Sequence, residues 1–193
     1  LLPAIAERFL EDDPQRLRKF KACTTVIVGS VDFKPYLKLL THYSPNQQSI
    51  VEKLVLLTDQ DPNMDGAANS TARGSEYEET DHFCRVVSPF TLEVSLLGDT
   101  NENIDLLKEA YLQQHSQSEH KWDKINDSKT SQWTMYTMMG KNQGAGESLS
   151  IQKGQFAHDL AILLRERKPD GSFKNEFKCP EHLAQLIHFI TCD

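Results

Sequence analysis

Three short apolar runs rich in β-branched residues, each ending on a small polar or acidic residue, constrain the fold of this chain most. Thr24-Thr-Val-Ile-Val28 ends at Gly29-Ser30, Lys53-Leu-Val-Leu-Leu-Thr58 at Asp59, and Phe83-Cys-Arg-Val-Val87 at Ser88-Pro89. Runs of this length without in-and-out alternation predict strands buried on both faces, as in parallel sheets. Helical or loop connections between them predict βαβ units, so the expected class is α/β. In such sheets reactive residues gather at the carboxyl ends of strands. Here those ends are Gly29-Ser30, Asp59-Gln-Asp61 and the stretch from Ser88 to Glu93.

The rest of the chain reads mainly as helix. Leu1, Leu2, Ile5, Phe9 and Leu10 share one helical face over residues 1–12, and Asp12-Asp13-Pro14 breaks that pattern. Asp32 is placed to cap a helix from Phe33 to Thr41. Residues 62–82 are polar and read as a loop. Helical patterns follow over Thr91–Leu97, Asn103–His115 and around Trp122. After a glycine-rich break, Gly140 to Gly146, Lys153–Arg167 is the strongest helix, with Phe156, Leu160, Leu163 and Leu164 on one side. Pro169-Asp-Gly171 ends it, and Pro180–Thr191 is a last helix opening on proline. A helix beginning at Leu1 with nothing before it to pack on suggests a piece of a longer protein.

No apolar run approaches the ~20 residues that cross a bilayer, and no secretion signal is legible, so a cytoplasmic protein without a membrane partner is expected. Cys23, Cys84, Cys179 and Cys192 follow no disulfide spacing and are read as reduced thiols. Asn69-Ser-Thr and Asn126-Asp-Ser match a glycosylation pattern that has no use in that compartment. The net charge of −7 argues against a simple nucleic-acid binder. Metal-dependent nucleases are an exception, because bound cations offset their carboxylates. The charges are also segregated: Asp59 to Asp81 is acidic, and Lys153 to Lys178 is predominantly basic.

Chemistry is most sharply indicated at Asp59-Gln-Asp61. Alternate residues of an extended chain face one way, so both carboxylates are expected to share a hard cation such as Mg²⁺ or Mn²⁺. Two acids that merely end a strand are the bland alternative. Asp61-x-Asn63-x-Asp65-Gly66 matches the opening of an EF-hand loop, but the twelfth position is Ala72 and a strand precedes it, so that reading fails. Cys179-x-x-His182 and His188-x-x-x-Cys192 have zinc-like spacing, yet His182 and His188 face different sides of one helix. Gly144-Ala-Gly146 lacks the lysine of a phosphate cradle. Glu93 lies just past the third run, where it could simply be a first-turn acid. Lys153 opens the best helix, where a cation opposes the helix dipole, so a functional reason is expected for it.

Taken together, these segments resemble a known family. Thr58-Asp-Gln-Asp61 after a buried strand is similar to the Asp-x-Asp motif of Toprim domains, found in topoisomerases, DnaG-type primases, RecR proteins and OLD (overcoming lysogenisation defect) nucleases. Thr91-Leu-Glu93, Lys153-Gly-x-Phe-Ala157 and the turn Gly29-Ser-Val-Asp-Phe33 resemble the OLD branch in particular. The resemblance implies a Toprim-type parallel sheet flanked by helices. Residues 1–93 would form a core lacking its first strand, 94–150 a helical insertion, and 151–193 the helices that complete the domain. It implies a DNA nuclease using two Mg²⁺ or Mn²⁺ ions, with Asp59, Asp61 and Glu93 as metal ligands and Lys153 as a catalytic cation. It further implies an upstream strand bearing a catalytic glutamate, an N-terminal ABC-type ATPase domain, and a UvrD-like helicase as a partner in phage defence. A non-catalytic, RecR-like module that binds metal and a partner, and a CheY-like or Rossmann-like regulatory domain, are the alternatives.

Overall fold

The computed structural model describes residues 1–28, 32–42, 50–62, 75, 77–98, 101–126, 131–140 and 148–192. Within these the protein is mixed α/β, with a two-stranded parallel sheet flanked by helices. The chain divides into two compact units. One comprises Asp13–Pro89 with Glu181–Asp193, the other Leu1–Asp12 with Phe90–Pro180.

The first unit holds the sheet. Strand β1 (Leu54–Asp59) pairs in parallel with β2 (Phe83–Ser88), in a register that sets Leu54 beside Phe83 and Asp59 beside Ser88. Side chains alternate across a strand, so Leu54, Leu56 and Phe83 share one face. Helix α3 (Lys34–Leu40) covers that face through Leu37, and Phe33 and Tyr77 close the edges of the cluster. The helix starts one residue later than expected, with Phe33 and not Asp32 at its N-cap; the Asp32 carboxylate still accepts from the Lys34 backbone N–H at 3.2 Å. Helix α9 (Glu181–Thr191) packs along both strands, and α2 (Pro14–Lys21) packs along α9. Lys53 Nζ donates to the carbonyls of Phe189 and Cys192, so a cation satisfies acceptors at the last turn of α9.

Two expectations are corrected here. Asp13-Pro14 does break the first helix, but it also starts another. Asp13 accepts from the Arg16 N–H at 3.0 Å, and Pro14 occupies the first turn of α2, where its missing N–H costs nothing. The run Thr24–Val28, expected as a buried strand, joins no sheet. Val26 is 56% and Ile27 90% exposed. A β-branched run is stabilised by pairing and burial rather than by its backbone preference, and among the described residues no strand lies alongside it. The expected three-stranded sheet therefore has two strands among the described residues.

The second unit is helical. Its elements are α1 (Leu2–Phe9), α4 (Leu92–Ser95), α5 (Ile104–Gln114), α6 (Glu119–Asn126), α7 (Ser131–Met139) and α8 (Lys153–Arg165). α8 is the centre: α1 and α5 pack on it, and its Phe156, Leu160, Leu163 and Leu164 are buried, the stripe read from the sequence. Trp122 of α6 is fully buried and stacks on Tyr111 of α5 with ring centroids 5.4 Å apart. Asn103 ties distant chain together: its amide donates to the carbonyls of Leu96 and Lys178, and its Oδ1 accepts from the Lys178 N–H. Among the described residues no helix is long and apolar enough to cross a membrane. The Gly29–Val31 turn, Asn63, Asp65 and Gly66 of the EF-hand-like stretch, both glycosylation-like triplets beyond Asn126, and Gly144-Ala-Gly146 lie outside the described residues.

Candidate metal centre

The candidate residues fall two to each unit: Asp59 and Asp61 in the first, Glu93 and Lys153 in the second. In the first unit, β1 delivers Asp59 to its carboxyl end as its last residue. The hydrogen bond from the Gln60 N–H to the Ser88 carbonyl, 2.9 Å long, extends the parallel pairing by one step. There the extended chain stops. Asp61 has φ +44°, in the left-handed region, so the alternation that was expected to aim both carboxylates one way does not reach it. The pair is adjacent because of a turn and not because of a pleat. Aspartate is among the few residues with a side chain that tolerate this conformation.

Ser88 is the register partner of Asp59, so the two side chains share a face of the sheet. Its side chain is fully buried, and among the described residues its hydroxyl has no hydrogen-bond partner. The Thr58 hydroxyl, buried one residue before Asp59, is likewise unsatisfied. Buried hydroxyls without partners are uncommon and costly. The two lie on opposite faces of the sheet, Ser88 on the face of Asp59 and Thr58 on the other, and nothing in the pattern of the sequence signals either.

In the second unit, Thr91 caps α4 by accepting from the Val94 N–H, and Glu93 lies in the first turn. This is the bland role weighed for Glu93, and it holds geometrically. The side chain also does something else. Lys153, the first residue of α8, brings its Nζ to 3.3 Å from Glu93 Oε2. The carboxylate side chain is 13% exposed and the lysine 52%. The ammonium lies within ion-pair distance of an oxygen that is buried from water. Two residues far apart in the chain, singled out separately, thus meet. The Gln152 side chain does not cap α8, so Glu93 is the counter-charge that offsets a cation at the positive end of that helix.

Each unit by itself carries hard oxygen donors: the Asp59 and Asp61 carboxylates in one and the Glu93 carboxylate in the other. Among the described residues no three His, Cys, Asp or Glu side chains gather as a ready metal site. The zinc-like residues give only a pair, with Cys192 Sγ 3.4 Å from His188 Nδ1.

The chain matches no known protein family, no curated protein and no solved structure. The candidate centre therefore rests on its own residues.

Proposed function

We propose that this chain is the catalytic part of a metal-dependent DNA nuclease of the Toprim type, resembling the OLD branch. The meeting of Glu93 with Lys153 carries the reading. The resemblance implies that these two residues work together, and neither composition nor periodicity links them. The Asp59-Gln-Asp61 turn at the carboxyl end of a parallel strand supports it, because that is where α/β sheets carry their reactive groups.

In this reading Asp59, Asp61 and Glu93 would be ligands for two Mg²⁺ or Mn²⁺ ions. Bound cations of this kind supply an activated water and stabilise the leaving oxygen. Asp59 and Asp61 would provide oxygen ligands on either side of the Gln60–Ser88 hydrogen bond, Asp61 in a left-handed conformation. Lys153 contributes a cation against the charge that develops on the phosphate. The reading also includes a glutamate-bearing strand beside β1. The Leu54 and Gln60 N–H groups point to β2, so by alternation the peptide groups of Val55 and Leu57 point to the other edge. Among the described residues no strand occupies that edge. The ATPase domain, the helicase partner, the role in phage defence and a cytoplasmic setting belong to the same proposal.

The test is nicking of supercoiled plasmid by the full-length protein with Mn²⁺. Asp59→Ala and Lys153→Ala should each abolish nicking while circular dichroism stays unchanged. Cleavage retained by either variant removes that residue from the mechanism. A wild-type protein that binds Mn²⁺ and never nicks points instead to a RecR-like binding module.

A further inference from the structure

The pair His188-x-x-x-Cys192 has no part in the nuclease reading and lies wholly within the first unit. We infer that Cys192 is a reactive thiol with His188 as its base, and that hydroperoxides oxidise it. The two residues are four apart at the end of α9 and share a helical face, with Cys192 Sγ 3.4 Å from His188 Nδ1. Sulfur is a large atom, so this distance is within hydrogen-bond reach of a thiol. The Arg16 guanidinium approaches the same nitrogen at 3.5 Å. A guanidinium only donates, so Nδ1 presents its lone pair, and the thiol that shares it is a donor. That is the tautomer a base needs on the side facing the sulfur. Arg16 is itself held, since its Nε donates to the Thr191 hydroxyl at 2.9 Å.

The charges around the sulfur favour its anion. The carboxyl end of a helix ordinarily opposes a negative group. At α9 that end is offset, because Lys53 Nζ donates to the carbonyls of Phe189 and Cys192. Arg16 adds a second cation beside the ring. Neighbouring cations of this kind promote the thiolate, which is the nucleophilic form of cysteine. The other thiols are set differently. Burial pushes the Cys23 and Cys84 thiols up, and Glu79 raises Cys84 further, while Cys179 donates to the Pro180 carbonyl. His188 is exposed and Cys192 partly so, which admits a small peroxide. In the reaction His188 Nδ1 takes the thiol proton, and the thiolate attacks one peroxide oxygen as the O–O bond breaks. The leaving oxygen takes that proton from His188 and departs as water or an alcohol. Sulfur loses two electrons, the peroxide gains them, and Cys192 becomes a sulfenic acid.

The experiment maps the four thiols of the 193-residue chain by mass spectrometry. Brief iodoacetamide labelling should modify Cys192 about tenfold faster than the exposed Cys23, because the rate follows the thiolate fraction. His188→Gln, a surface exchange checked by an unchanged circular dichroism spectrum, should bring the Cys192 rate down to that of Cys23. It should leave Cys23 itself unaffected. Hydrogen peroxide followed by dimedone, which traps sulfenic acids, should place the adduct on Cys192 in the wild type and largely lose it in His188→Gln. Labelling of Cys192 no faster than Cys23 in the wild type overturns the inference without recourse to any variant. So does a Cys192 rate that His188→Gln leaves untouched, or a dimedone adduct on the other cysteines and not on Cys192.

Discussion

Single residues in this protein carry opposite consequences for stability and for function. Among the described residues the buried Ser88 hydroxyl lacks a partner, and leaving a polar group unsatisfied costs about 1–3 kcal/mol. Ser88→Ala should therefore leave stability in EDTA unchanged or raise it by about 1 kcal/mol, as read by urea denaturation. A loss of stability would show that the hydroxyl has a partner in solution. Gly98 behaves the opposite way. Its φ is +79°, and a Cβ there would run into the Glu102 carboxylate, which is held by Lys178 at 2.5 Å. Gly98→Ala should cost upwards of about 1 kcal/mol, since the backbone is strained and an ion pair must move. A thermal melt at equal pH measures it. At this scale the sequence was only partly legible. Asp59, Asp61, Glu93 and Lys153 are visible as residue types in motif order. The left-handed turn at Asp61 is not, because it depends on how β1 leaves the sheet and not on the Asp-x-Asp spacing.

At the scale of elements, legibility followed periodicity. β1, β2 and α8 appear close to where their patterns place them, because burial on a fixed face leaves a fixed spacing. Thr24–Val28 has the same composition as a strand and is not in one, since pairing is supplied by a neighbour and a sequence window does not contain it. Asp13-Pro14 was legible as a stop and not as a start, although capping chemistry serves for both. Among helices, the packing of α5 and α1 on α8 is the main support of the second unit. Leu160 is fully buried there, so Leu160→Ala should cost about 2–5 kcal/mol in chemical denaturation. Between α5 and α6, Lys108 Nζ pairs with Glu119 at 2.7 Å. The hydrogen bond from Lys108 holds the Glu119 carboxyl below its ordinary range. A depressed carboxyl contributes stability above its unfolded value and loses it as pH falls through the folded one. The difference between wild type and Glu119→Gln should thus be present at pH 7, begin to shrink near the ordinary carboxylate range of about 4, and vanish only below the depressed folded value. An equal difference at pH 7 and below that value would assign the effect to packing.

At the scale of the whole molecule, the nuclease reading makes one demand of each compact unit by itself: its candidate carboxylates must bind a divalent ion. Fe²⁺ bound in place of Mn²⁺, with peroxide and ascorbate, cuts polypeptide near the ion. Cuts are expected both near Asp59–Asp61 and near Glu93. A region left uncut would remove that unit's carboxylates from metal binding.

The open edge of β1 has a consequence for handling the protein. Among the described residues no strand pairs with the peptide groups of Val55 and Leu57, and Val26 and Ile27 expose apolar surface within the same unit. Sheet borders of this kind invite recruitment of another polypeptide. Concentrated solutions of the isolated chain should therefore drift toward polymers. A lysine at position 27, facing water, should slow that drift and leave the melting temperature alone.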